Sequence, residues 1–221
     1  MERIDTITLV RTLPQVFRGS EGEGHVAASG VWLHTLTLQR PGRYLIEAES
    51  GTGKSSLCAY IFGNRHDYDG QILFNGRDTA AFTVSDWCVV RRRHLALLPQ
   101  EMGLFPELTA MQNILVKNRL TDAYTAAEIR AMLCRLEVDG KADTPAGLLS
   151  IGQQQRVALV RALCQPFDFL LLDEPVSHLD ARNNAAAAAL VDRVAAANGA
   201  AVITTSVGNP LALENCNILK L

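Results

Sequence analysis

Residues 49–56 read ESGTGKSS, and the reading of this stretch decides the fold. Before it, after the Pro41-Gly42 turn, residues 44–47 (YLIE) predict a short buried strand. After it, residues 56–62 (SLCAYIF) predict a helix that Gly63 caps. A glycine-rich loop closing on Lys-Ser, entered from a strand and leaving into a helix, is built to hold the phosphates of a nucleoside triphosphate. Across Ser50–Ser56 the small residues Gly51, Thr52 and Gly53 let backbone N–H groups turn inward onto phosphate oxygens. Lys54 would neutralise the β and γ phosphates, and the Ser55 hydroxyl would ligate Mg²⁺. The positive end of the helix dipole points at the same phosphates. Ala48 stands where this motif begins with Gly, a change that suits a negative φ.

Residues 167–175 (FDFLLLDEP) supply the second part of such a site. Residues 169–172 are continuously apolar, the pattern of a strand covered on both faces in a mainly parallel sheet. Asp173 falls where a carboxylate would hold a magnesium shell. Glu174, pointing to the opposite side, is placed to polarise an attacking water. An acidic loop after a core strand is common by itself, but it acquires this meaning downstream of the phosphate loop. Residues 149–156 (LSIGQQQR) follow the same logic. Ser150 is a good N-cap for a helix running to about Cys164, and its hydroxyl with the free N–H groups there makes an anion site.

With these stretches placed, the chain resembles the ATP-binding cassette (ABC) family of ATPases. The resemblance rests on the phosphate loop 48–55, Gln100 after the run 95–99, the signature stretch 149–153, the acidic strand end 169–174 and the SHLD segment 177–180, in the family's order. Within the family, FNGRD at 74–78, LFPELTAMQNI at 104–114 and the short length resemble the lipoprotein-release, macrolide-export and cell-division group. The resemblance implies a composite site in which ATP on one phosphate loop is covered by Ser150, Gly152 and Gln153 of a second cassette, either a copy or a relative. It implies that Gln100 touches the Mg²⁺ shell and that Asp180 communicates across the pair. It also makes Phe17 the aromatic that stacks on adenine, although a small core anchor fits Phe17 equally well.

Two departures matter. Ile151 stands where the signature usually has a second Gly, and a β-branched residue there disfavours any positive φ. Ser206 stands after residues 200–205 (AAVITT), where the family places a histidine on the γ-phosphate. Serine is shorter and uncharged. The expectation is normal ATP binding with slow hydrolysis. His178 is either a substitute for that histidine or a variable residue at the pair interface.

The expected fold is α/β: a P-loop NTPase core with a mainly parallel sheet, an antiparallel β part and an α-helical insert. It would form one domain over 1–221, with 1–100 and 148–221 as the nucleotide-binding core and 101–147 as the mainly helical insert. Residues 4–10 and 32–38 read as edge strands, and Asn75-Gly76 carries a hairpin signal. Residues 109–118 and 125–137 read as helices, the second opened by a Thr125/Glu128 capping box. A net charge of −2 leaves no electrostatic footprint for nucleic acid. The basic cluster 91–93 reads as a solvated helix end, with a membrane-partner contact as the alternative. Five scattered cysteines without metal spacing read as reduced packing residues. No leader pattern precedes residue 10, and no apolar run reaches the ~18 residues of a span. The expected place is cytoplasmic and peripheral on the inner face of the cell membrane, with transmembrane permease subunits in a separate chain. A soluble or cell-division-type ATP switch without transport is the alternative.

Overall fold

The computed structural model describes residues 2–19, 26 and 29–221. Of the glycine-containing stretch 19–24 after Phe17, only Gly19 lies within the described residues.

Two sheets organise the chain. The antiparallel one contains β1 (Thr6–Pro14), β2 (Thr35–Gln39), β4 (Tyr68–Phe74) and β5 (Arg77–Asp78), in the order β2-β1-β4-β5. The other is parallel throughout: β3 (Arg43–Glu47), β6 (Leu95–Leu98), β7 (Phe169–Leu172), β8 (Ala201–Ser206) and β9 (Asn217–Lys220), in the order β6-β7-β8-β3-β9. The helices are α1 (Lys54–Ile61), α2 (Val84–Arg93), α3 (Ala110–Asn118), α4 (Ala126–Arg135), α5 (Ile151–Leu163) and α6 (Ala181–Asn198).

The parallel sheet separates two apolar cores, and the period of the strands explains how. Side chains alternate across a strand. On β7, Leu170 and Leu172 enter one core, while Phe169 and Leu171 enter the other. The first core packs α3, α4, α5 and α6 onto one face; the second packs α1, α2 and the antiparallel sheet onto the opposite face. All four residues of β7 are fully buried, each leucine contributing roughly 2 kcal/mol.

Local chemistry sets the element ends. Thr83, Thr109, Thr125 and Ser150 each open a helix with a complete capping box, the Thr125/Glu128 one as expected. Asn75 and Gly76 take φ of 49° and 79°, the left-handed pair that turns β4 into β5. Gly63, at φ 71°, follows α1 where a Cβ would fall 2.5 Å from the Trp87 ring.

Three expectations change. β1 is not an edge strand: it pairs with β2 on one side and β4 on the other. Alternation reports one buried face and says nothing about how many neighbours a strand has. The strand read at 32–38 starts only at Thr35, after Leu33 turns the chain at φ 61°. The 91–93 cluster ends a helix as expected, with Arg92 and Arg93 exposed, but it also makes contacts that a solvated end does not require. Arg91 donates to the Phe62 and Gly63 carbonyls at 3.1 and 2.6 Å and lies over Trp87, and Arg92 donates to the Leu120 carbonyl at 2.8 Å. Among the cysteines, Cys58 and Cys164 are buried, with burial pushing the Cys164 thiol up to about 12, but Cys88 and Cys134 are exposed.

An anchor not foreseen from the sequence joins the two sheets. The Asp168 carboxylate, just before β7, accepts from the Ile4 N–H (2.8 Å), Arg3 Nε (2.9 Å) and His94 Nδ1 (2.6 Å). Burial pushes this carboxyl up, but the donors outweigh burial and hold it below its ordinary value.

Candidate functional site

The phosphate loop is strung between β3 and α1. Gly53 ends it at φ 98°, a conformation that costs a side chain dearly; a Cβ there would also meet Trp32 at 3.0 Å and Phe17 at 3.2 Å. Trp32 braces the loop from below, its indole Nε1 donating to the Thr52 carbonyl at 3.1 Å. Phe17 is half-buried against the second core and lies beside the loop. Ala48 does not take a positive φ, so the methyl group at that position is tolerated.

Ser50, Gly51, Gly53, Lys54, Ser55, Ser56, Gln100 and Glu174 line one cavity of about 210 Å³. Lys54 is buried, and its Nζ donates to the Glu49 carbonyl at 2.7 Å and the Ala48 carbonyl at 3.2 Å, 3.9 Å from Glu174 Oε1. Burial pushes its pKa down, with Glu174 and Asp173 pulling the other way. Bound phosphates would complete the neutralisation that the two carboxylates begin.

Ser55 Oγ lies 3.4 Å from Gln100 Oε1. Both residues, together with Asp173, line the adjoining cavity of about 440 Å³. A hydroxyl, an amide oxygen and one carboxylate make an all-oxygen donor set, which suits a hard divalent cation that keeps several waters. Asp173 is buried and Glu174 only partly so, and they face different cavities. The Asp173 Oδ1 accepts from the Thr205 hydroxyl at 2.7 Å.

The signature residues lie elsewhere. Ser150 Oγ accepts from the Gln153 N–H at 3.3 Å, and the Ser150 N–H donates to Gln153 Oε1 at 3.0 Å. As an acceptor in this cap, the serine still has its own proton to donate. Ile151 is the first residue of α5, has no positive φ and is 52% exposed, so its side chain takes no room from the helix N-terminus. A Cβ on Gly152 would meet the His178 carbonyl at 3.1 Å, which ties the signature to the SHLD loop. Asp180 caps α6 by accepting from the Asn183 N–H at 2.8 Å. None of these residues lines the phosphate-loop cavity. Ser206 ends β8 opposite Glu47; its carbonyl accepts from the Ala48 N–H at 3.3 Å, and its buried hydroxyl has no partner among the described residues.

Gln155 and Thr205 were not singled out in the sequence, yet both touch Glu174. A glutamine in a run of three and a threonine inside a strand carry no local signal.

Comparison with known proteins places this geometry. The family model described as ABC transporter matches residues 34–177. The phosphonates import ATP-binding protein PhnC of Alcaligenes faecalis is 35% identical over 178 residues, 75% of this chain and 62% of that protein. The lipoprotein-releasing system ATP-binding protein LolD of Francisella tularensis is 27% identical over 190 residues, 84% of this chain and 82% of that protein. A solved dimeric structure of a bacterial ABC transporter cassette superposes with a TM-score of 0.72 at 25% identity, covering 84% of each chain. The chain belongs to the ABC transporter family, and its fold is that of the family's ATP-binding cassette. It spans less than two thirds of the phosphonate protein and under half of the sulfate/thiosulfate import proteins that it also matches.

Proposed function

We propose that this chain is an ATP-hydrolysing subunit of a membrane transport complex, one cassette with residues 101–147 as its insert. The observation that carries the reading is the cavity gathering Lys54, Ser55, Gln100 and Glu174 around the phosphate loop. ATP lies with its phosphates on the N–H groups of Ser50–Ser56 and on Lys54, and adenine against Phe17. Ser55, Gln100 and Asp173 hold Mg²⁺, which when bound offsets phosphate charge. Glu174 accepts the proton of the attacking water. Since no signature residue lines this cavity, Ser150, Gly152 and Gln153 serve the site of a second cassette in a head-to-tail pair, and Asp180 lies at their seam. The pair, a second copy or a relative, closes on ATP and reopens after hydrolysis.

The insert is the surface offered to permease subunits. Phe105, Val116 and Leu120 are exposed apolar residues there. Val116 and Leu120 line a cavity of about 250 Å³ together with Phe62, Leu97, Lys117 and Arg161. On this reading the permease subunits are separate chains and the cassette lies peripherally on the inner face of the membrane; among the described residues no helix is long and apolar enough to cross a membrane. Capture of the Glu174→Gln chain from solubilised membranes with Mg-ATP recovers a multi-span membrane protein. Recovery of soluble proteins alone, with the chain absent from the membrane fraction, favours the soluble ATP switch instead.

Hydrolysis is slow, on this reading, because Ser206 lacks the reach and charge of the usual histidine. Losing one such donor costs about 10²–10³ in rate. The Ser206→His variant raises ATP turnover toward that factor; turnover no faster than wild type removes Ser206 as the cause.

A further inference from the structure

Glu174 has a backbone feature that its chemistry alone does not require. Its φ is +49°, in the left-handed region that a residue with a Cβ ordinarily avoids. Such a conformation persists only where the surroundings over-determine it. Here both of its backbone polar groups are held by buried side chains. Its N–H donates to Thr205 Oγ1 at 3.0 Å. Its carbonyl accepts from Gln155 Nε2 at 3.1 Å. Thr205 is fully buried and Gln155 is 3% exposed.

Each holder is itself held. The Thr205 hydroxyl, while accepting from Glu174, donates its proton to Asp173 Oδ1, so one hydroxyl sets both neighbouring carboxylate residues. Gln155 lies on α5, two residues past the signature stretch. Its amide N–H₂ also donates to Ser177 Oγ at 3.2 Å, and its Oε1 accepts from the His178 N–H at 3.1 Å. The signature helix, the SHLD loop and Glu174 therefore meet at one buried amide.

We propose that Thr205 and Gln155 are positioning residues that clamp the Glu174 backbone from both sides and so aim its carboxylate into the phosphate-loop cavity. The proposal rests on the reading of Glu174 as the base. It also gives α5 a direct mechanical link to that base: a shift of the signature helix moves Gln155, and with it the Glu174 carbonyl.

The test is steady-state ATP turnover of the full chain with Thr205→Val, Thr205→Ser and Gln155→Met, each alone and with Glu174→Gln. Thr205→Val and Gln155→Met lower kcat by about 10–100-fold at nearly unchanged KM, since a misplaced catalytic group costs up to about 10²-fold. Thr205→Ser keeps the hydroxyl and recovers most of the loss, which a purely packing role of the threonine methyl would not allow. In the Glu174→Gln background Gln155→Met costs nothing further, because there is no longer a base to aim, while Thr205→Val keeps only the part of its loss that runs through Asp173. Near wild-type kcat in both single variants, or full additivity of Gln155→Met with Glu174→Gln, overturns the clamp. Wild-type turnover in Glu174→Gln itself overturns the reading of Glu174 as base, a separate outcome. Should Thr205→Val not fold, a Thr205→Ser variant as impaired as Gln155→Met also overturns the clamp.

Discussion

Glu174→Gln lowers ATP turnover by about 10²–10⁴-fold, the range for removing a positioned general base. The amide is nearly isosteric with the carboxylate, and the bonds to Thr205 and Gln155 involve the backbone of Glu174, so the residue stays in place. What is lost is the ability to take a proton. ATP binding survives, because the phosphate loop and Lys54 are untouched, and removing one negative charge from the cavity eases the approach of a polyanion. The check is turnover together with nucleotide affinity on the same preparation. Loss of turnover with ATP retained supports the assignment, and unchanged turnover sinks it.

Lys54→Ala has the second large effect, and it falls on binding. Among the described residues Lys54 is the cation that lines the cavity, held between two loop carbonyls and 3.9 Å from Glu174. Charge-assisted hydrogen bonds contribute about 1.5–3 kcal/mol each, so ATP affinity drops by about 10–100-fold. The loop carbonyls of Ala48 and Glu49 also lose their donor, and ADP binding weakens along with ATP binding. Because burial lowers the Lys54 pKa, its charge is lost at lower pH than that of a free lysine, and wild-type ATP affinity declines on the alkaline side. Titration calorimetry on wild type and variant reads both effects. ATP affinity unchanged in Lys54→Ala contradicts the phosphate-loop assignment.

The parts of the molecule legible from sequence are those written in contiguous residues. The phosphate loop, the β7 run ending in Asp173-Glu174, the Ser150 cap and the Thr125/Glu128 box each depend on a few neighbours in the chain. Ile151 and Ala48 were legible as departures, and both are tolerated because neither position takes a positive φ. The remainder depends on partners distant in sequence. Thr205 lies 31 residues from Glu174 and Gln155 lies 19 residues from it, so no local pattern marks either as a neighbour of Glu174. Asp168 receives Ile4 and Arg3 from the other end of the chain for the same reason. Arg91 and Arg92 read as solvated because a charge run usually is, but here the carbonyls left open at helix ends recruit them.

On this proposal one chain carries half of each site: a phosphate loop used in its own cavity and a signature used in another. Native mass spectrometry of the Glu174→Gln complex, captured with Mg-ATP, counts the cassettes directly. Two cassettes per assembly, either two copies of this chain or one copy with a relative, falling apart when Mg-ADP replaces Mg-ATP, is the expected result. A single cassette with ATP bound contradicts the composite site.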